Sequence, residues 1–489
     1  MATQDNSSTL LPQLFWRLHF WSGIITAPIV LFAAFSGLLY VFTPQIESWK
    51  HASLDQVNAI APAQSLDRQI DAAQHAFPGK NIRSIIPSVD TEQTTQVIFG
   101  EKKKRVQSEK TAEKAPEKTA EKTATHSNTK AIDTNEHASH QHNRASTESN
   151  TESNTEAHKI SGPFIAYINA GTLDVQGSIA EDGRFKEWAR KLHSSFLQGE
   201  SWRWIIELGA CWMLFMLVSG VYLWWPRCNA NWRSVFVRDR RDTNANNKSR
   251  RDWRYYHSIL SISSLVLTFT IIITGITWAK YAGANFREMQ SALGQSSPKA
   301  PMQMRSTSND QPRLSAQAIY DIAQKQVPGI QMQLSPPKTE DGVWRVESYD
   351  RTQPSKRFQM MVDAYSGAIL YQSSWQDLPL LAKATAVGIP FHRGEFGWWN
   401  QALLAIVACS VIFAVISGFI MWLKRRKPQT ISAPKVSNKA LRAVPILLWI
   451  TLALFAYALP VFGMGLALLV TLEIIAVFVR SKASQGAAT

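Results

Sequence analysis

Two stretches decide how this chain is read: residues 16–37, WRLHFWSGIITAPIVLFAAFSG, and residues 253–275, WRYYHSILSISSLVLTFTIIITG. In each, Trp-Arg leads to a histidine, an apolar run follows, and a glycine stands 18 residues beyond the histidine (His19 and Gly37; His257 and Gly275). Eighteen residues at roughly 100° each return a helix to the same face about 27 Å further on. Each helix is therefore expected to carry an imidazole at one depth and bare backbone on the same face at the other. A second pair of motifs has the same character. His193, in LHSSFLQG, precedes an apolar run ending SGVYLWWPR, and His392, in FHRGEFG, precedes one ending SGFIMWLKRR. Here the separations, His193 to Gly220 and His392 to Gly418, are 27 and 26 residues and break the phase unless Gly199 and Gly397 interrupt the helices.

Helix, extramembrane region, helix: the chain of 489 residues reads as that unit twice over. Residues 20–43, 205–225, 259–278 and 402–423 are apolar runs of the length, roughly 20 residues, that crosses a hydrocarbon core. Residues 443–479 form a longer run broken by Pro460 and Gly463, which predicts two further short spans and six in all. No broken-helix pair of the kind found around a midplane substrate site is expected, which argues against a permease. Of the 18 tryptophans, Trp16, Trp21, Trp202, Trp204, Trp224, Trp225, Trp398, Trp399 and Trp422 gather at span ends, where amphipathic rings prefer the interface. No small-residue cleavage site follows the first run, so it is read as a retained helix. The net charge of +15 is concentrated in residues 227–254 and 424–442. Short Lys/Arg-rich connections mark the cytoplasmic side, so the charge speaks for topology and against nucleic acid. Both termini are then cytoplasmic, the long connections are periplasmic, and a bacterial inner membrane is the expected setting. Three cysteines, Cys211, Cys228 and Cys409, offer no disulfide framework and no CxxC.

The connections repeat as well. Residues 62–99 and 312–374 each begin with an amphipathic helix that stops at Pro-Gly (Pro78-Gly79 and Pro328-Gly329) and continue into alternating strands. Between the two parts of the first copy lies a polar insertion, 101–160, almost without large apolar residues, which predicts disorder. It holds His126, His137, His140, His142 and His158, read as a solvated linker in preference to a weak metal site.

Two repeats that run in the same direction through a membrane are related by an axis along its normal. Equivalent residues then face each other at equal depth: His19 opposite His257 on the cytoplasmic side, His193 opposite His392 on the periplasmic side. Facing neutral imidazoles are the axial ligands of a six-coordinate b-type haem, so two bis-histidine haems are expected. Gly37 and Gly275 would offer bare backbone to the second macrocycle, although close helix packing explains such glycines equally well. Arg17 and Arg254 inside, and Lys191, Arg203 and Arg393 outside, are candidate partners for propionates, or simply topology charges.

With these motifs together, the chain resembles the PepSY-associated transmembrane family, which includes iron-regulated inner-membrane proteins and ferric-siderophore reductases. The resemblance covers most of residues 12–427. It implies a mainly α membrane protein: a duplicated four-helix haem-binding core, two small periplasmic α/β (PepSY-like) domains, and here a C-terminal two-helix hairpin. The expected spans are 12–43, 186–226, 255–280, 390–424 and, as a pair, 443–480. The expected periplasmic domains are 44–185 and 281–385, and the basic cytoplasmic loops are 227–254 and 425–442. The resemblance also implies electron transfer to a ferric siderophore, with the four histidines as ligands. No glycine-rich dinucleotide turn follows a strand, so the electron donor would be a separate cytoplasmic flavoprotein or a membrane quinol. The competing expectation is a non-enzymatic membrane protein whose PepSY domains bind a periplasmic peptide, peptidase or metal.

Overall fold

The computed structural model describes residues 7–58, 61–90, 92–100, 162–225, 245–301, 303–308, 311–427, 433–434 and 444–486. The insertion 101–160, with its five histidines, and the larger parts of both basic loops lie outside the described residues.

Three stretches are helical, long and apolar enough to cross a bilayer: residues 11–41, 200–224 and 398–425. The first is most of α1 (Ser7–Val41). The second is a 3-10 turn followed by α6 (Arg203–Trp224), and the third is α12 (Trp398–Arg425). The expected third span is not continuous. It is two helices, α7 (Ala245–Ser263) and α8 (Leu265–Ile276), bent by 61° at Ser264. The hydroxyl of Ser264 donates to the Leu260 carbonyl at 2.9 Å, and such back-bonding next to a second serine is a recognised cause of kinks. The expectation that no span is broken is thereby corrected.

Spans two and four are also shorter than expected, because a separate helix precedes each. These are α5 (Phe185–Ser195) and α11 (Leu380–His392). The chain reverses into α6 and α12 through Gly199 (φ 89°, ψ −178°) and Gly397 (φ 88°, ψ −171°). That region of backbone space is open essentially to glycine alone, and its use at equivalent places is direct evidence of duplication. The C-terminal hairpin, α13 (Ile446–Ala458) and α14 (Pro460–Gly486), packs on α6 through Trp212 and Phe462, whose rings are 4.7 Å apart. With 13 residues, α13 is about 20 Å long, short of a core of about 30 Å. By length and composition three straight helices and one bent pair can cross a bilayer, and the expected pair of short C-terminal spans is the hairpin of the 13-residue α13 and the 27-residue α14.

The extramembrane repeats form one body instead of two. α2 (Thr43–Lys50) and α3 (Ala52–Asp55) lead from α1 to α4 (Leu66–Ala76), β1 (Asn81–Ile86), β2 (Thr94–Gly100), β3 (Phe164–Asn169) and β4 (Val175–Ala180). The second copy, after α9 (Ala282–Ala292), has α10 (Ala316–Gln326), β5 (Met332–Ser335), β6 (Trp344–Ser348), β7 (Phe358–Val362) and β8 (Ile369–Ser374). Two antiparallel meanders join edge to edge in an eight-stranded sheet, β4-β3-β2-β1-β5-β6-β7-β8, with Ile85 opposite Leu334 at the seam. The core crosses that seam, since Leu66 and Ile85 pack with Ile319, Leu334 and Met360. The two Pro-Gly stops behave alike, with φ of 75° at Gly79 and 68° at Gly329.

At the seam the helices cap each other. Asp67 accepts from the Ala316 amide at 2.8 Å, and Gln317 accepts from the Leu66 amide at 2.7 Å. Asp67 and Gln317 stand two residues after equivalent N-cap serines, Ser65 and Ser315, so the exchange is reciprocal. Asp67→Ala should orphan a helix-terminal amide and cost about 1–3 kcal/mol. It should lower the thermal midpoint of the purified full-length protein in detergent; an unchanged midpoint would mean that the shared apolar core alone holds the seam.

Candidate functional site

The four histidines occupy four versions of one environment. His19 Nδ1 lies 2.8 Å from Ser219 Oγ, and His193 Nδ1 lies 3.0 Å from Ser36 Oγ. His257 Nδ1 lies 2.9 Å from Ser417 Oγ, and His392 Nδ1 lies 3.3 Å from Thr274 Oγ1. In every case the hydroxyl belongs to a membrane helix of the same repeat and immediately precedes a glycine. Over that glycine lies the ring. A β-carbon placed on Gly37 would stand 3.2 Å from His193 Cε1, on Gly275 2.8 Å from His392 Cε1, on Gly220 3.5 Å from His19 Cε1 and on Gly418 3.8 Å from His257 Cε1.

These partners assign the tautomer. Each hydroxyl has one proton and directs it into its own helix: Ser36 to Phe32 O, Ser219 to Met216 O, Thr274 to Thr270 O and Ser417 to Ala414 O. With its proton so placed, each hydroxyl oxygen is free to accept from Nδ1. Backbone carbonyls, which only accept, agree: His392 Nδ1 donates to Ile271 O at 2.9 Å, and His193 and His257 hydrogen-bond the backbone of Ala33 and Ala414. In the neutral ring Nε2 is left with a lone pair. Among the described residues no hydrogen bond engages any of the four Nε2 atoms, and none of them is sealed from solvent-sized space. Across the two repeats His19 lies within electrostatic range of His257, and His193 within range of His392. Nδ1 tied to a second group and Nε2 presented outward is the arrangement of a ligating imidazole. Two such couples fit the bis-histidine requirement of a b-type haem each.

The remaining sequence candidates fare differently. Gly37 and Gly275 do not offer backbone to open space; each seats the imidazole of its own repeat's other histidine. The 18-residue period placed them correctly at the far membrane depth, but what they meet there is a neighbouring helix. Arg393 is already committed, with Glu395 at 3.0 Å and the Tyr40 hydroxyl at 3.0 Å. Lys191 pairs with Asp182 at 3.4 Å, and Arg203 with Glu200 at 2.8 Å and the Trp278 carbonyl at 2.7 Å. Arg17 donates to the Pro434 carbonyl, and Arg254 lies exposed on α7. Among these described candidates none is set apart as the partner of an anionic group.

Sequence reasoning missed the hydroxyls Ser36, Ser219, Thr274 and Ser417. The signal was present, since each of the first four apolar runs reaches a Ser-Gly or Thr-Gly dipeptide. It also missed Glu207, buried within α6, whose carboxylate accepts from the Tyr281 and Ala282 amides at 3.0 and 2.7 Å. Glu207 thereby caps α9, and negative charge at a helix N-terminus is favourable.

Residues 16–425 match the family model described as the PepSY-associated TM region. No curated protein matches the chain.

The glycine seats differ in tightness, which makes a graded prediction. Gly275→Ala should displace the His392 ring and cost about 1–3 kcal/mol as an overpacked site, whereas Gly418→Ala should be close to neutral. Thermal midpoints of the two purified variants in detergent would test the order; equal midpoints would show that the rings do not rest on these glycines.

Proposed function

The chain belongs to the PepSY-associated transmembrane family, and on that premise we propose that it is an inner-membrane di-haem b oxidoreductase that delivers electrons to a ferric siderophore on the periplasmic side. The observation that carries this reading is the fourfold environment just described: imidazoles tied at Nδ1, with Nε2 presented, in two couples. His19 and His257 would hold one haem, and His193 and His392 the other. A b-type haem held by two imidazoles supplies a one-electron Fe(III)/Fe(II) couple whose potential follows from ligation and burial.

The chain's own residues have definable parts in this. Ser219, Ser36, Ser417 and Thr274 accept the Nδ1 proton, which keeps each ring in one tautomer and one orientation and raises the basicity of Nε2. The four glycines let the rings lie against helix backbone. The apolar helices exclude water, so a change of charge within the couples is felt strongly. On the substrate, reduction of Fe(III) weakens its hold on hard oxygen ligands and frees the metal. No general base or nucleophile is required. The basic segments 227–254 and 425–442 support a cytoplasmic side for both termini, and on that topology the eight-stranded sheet would lie outside and guide the siderophore. Electrons would come from a separate flavoprotein or from membrane quinol.

Two sets of variants test the reading. His19→Ala and His257→Ala should each lose one and the same haem, and His193→Ala and His392→Ala the other, by pyridine haemochrome assay on purified protein. Full haem content in all four variants would defeat the proposal. Ser219→Ala should retain haem but shift the midpoint potential of the cytoplasmic site in a redox titration, because Nδ1 loses its hydroxyl acceptor.

A further inference from the structure

A cavity of about 460 Å³ lies between α7 and α12, lined by Ser249, Asp252, Trp253, Tyr256 and Phe413. Its volume falls within the range of small-molecule sites, roughly 300–1,000 Å³. One wall is aromatic: the Trp253 and Phe413 rings are stacked with centroids 6.2 Å apart and planes at 28°. The polar groups, a hydroxyl and a carboxylate, come from Ser249 and Asp252, and Tyr256 is 45% exposed at the rim.

The place of the cavity says more than its lining. At roughly 100° per residue, positions 249, 252, 253 and 256 share one face of α7, and His257 stands about a quarter turn from it. Trp253 lies four residues before His257, and Phe413 four residues before Ser417, whose hydroxyl holds the His257 ring. The cavity therefore borders the His257 site on both of its walls without being part of it. Both helices also belong to candidate membrane spans.

We propose that this cavity binds the electron donor, a membrane quinol, with its ring on Trp253 and Phe413 and one hydroxyl at Asp252 and Ser249. The chemistry of the lining selects that class. A flat apolar ring suits the aromatic wall, a hydroxyl that must lose a proton suits a carboxylate, and a prenyl tail needs an exit into lipid. The phosphates of a flavin or nicotinamide cofactor would instead require cations or a glycine-rich helix start, and among the described residues the lining has neither. In each cycle one quinol is oxidised to quinone: its two O–H bonds break, and two electrons leave one at a time, reducing two ferric chelates to the ferrous state. The two protons pass by way of Asp252 to water on the cytoplasmic side. The proposal rests on the oxidoreductase reading above, and the experiment separates the two.

Full-length haem-loaded protein in lipid nanodiscs is mixed anaerobically with decylubiquinol or menadiol, and the reduced α-band is followed by stopped flow, with dithionite as the chemical control. The wild type should be reduced by at least one of the two quinols. Trp253→Ala, Phe413→Leu and Asp252→Asn should be reduced at least tenfold more slowly by that quinol, while haem content and reduction by dithionite stay unchanged. An azidoquinone photolabel, read by mass spectrometry, should mark residues 249–256 or Phe413, which reports binding without turnover. If dithionite reduces the protein but neither quinol does, if the variants react at the wild-type rate, or if the label falls elsewhere, the quinol site is refuted and the oxidoreductase reading stands. A protein without a b-type spectrum would remove that reading and the quinol site with it.

Discussion

An imidazole placed among apolar helices must find an acceptor for its N–H, because leaving a buried donor unmatched costs about 1–3 kcal/mol. Much of the arrangement of this membrane core follows from that requirement being met four times in the same way. His19 on α1 reaches α6 through Ser219, and His193 on α5 reaches back to α1 through Ser36. His257 on α7 reaches α12 through Ser417, and His392 on α11 reaches α8 through Thr274. Each repeat is thus laced at both membrane depths by its own histidines, and the glycine beside each hydroxyl lets the helices approach closely enough for the bond to form. The reversals at Gly199 and Gly397 belong to the same construction. Without them His193 and His392 would continue along the axes of α6 and α12 and could not turn onto the neighbouring helix.

The sequence disclosed the repeat and its histidines because duplicated motifs can be compared with each other, and spacing within one helix is set by geometry. It could not disclose what lies across from a residue. Gly37 illustrates the limit: an 18-residue period gives its depth and face, but the His193 ring that covers it arrives from a different segment of the same repeat. The bend at Ser264 was hidden for a related reason. A run of Ser, Thr and branched apolar residues has the composition of a straight span, and whether serine hydroxyls back-bond depends on packing. The joined sheet was hidden too, because the alternating pattern of β1 and β5 is the same whether their outer edges meet solvent or each other. The phase mismatch at Gly220 and Gly418, by contrast, was readable as a sign of interrupted helices, since glycine is the residue that admits such a reversal.

The two layers of the protein communicate through charged groups concentrated where they meet. Arg184 bonds the Tyr167 hydroxyl on β3, pairs with Asp55 at 3.1 Å and approaches Glu47 at 3.7 Å. Glu47 in turn accepts from the Lys186 amide at 2.7 Å, and Lys186 reaches Glu395 at 3.6 Å. Glu395 pairs with Arg393, and Arg393 bonds Tyr40 near the end of α1. Burial holds the neighbouring His51 imidazole below its usual pKa, opposed by Glu47 and assisted by Arg184. The chain of contacts runs from the sheet to α5, which carries His193, and to Arg393 beside His392.

Such a network is weak evidence for stability, because the desolvation of partly buried ions offsets most of their attraction. Its consequence is geometric. Arg184 and Arg393 each hold groups from different segments, so a rotation of the sheet relative to the membrane helices would break several charge-assisted bonds at once. Glu47 Oε2, Glu395 Oε2, His51 Nε2 and Arg184 Nε are nevertheless buried without hydrogen-bond partners. Glu47 Oε2 still faces Arg184 Nη1 and His51 Nε2, each at 3.7 Å, so its charge is matched although neither contact is a hydrogen bond. A seam so directional favours one docking of the sheet on the helices that carry His193 and His392.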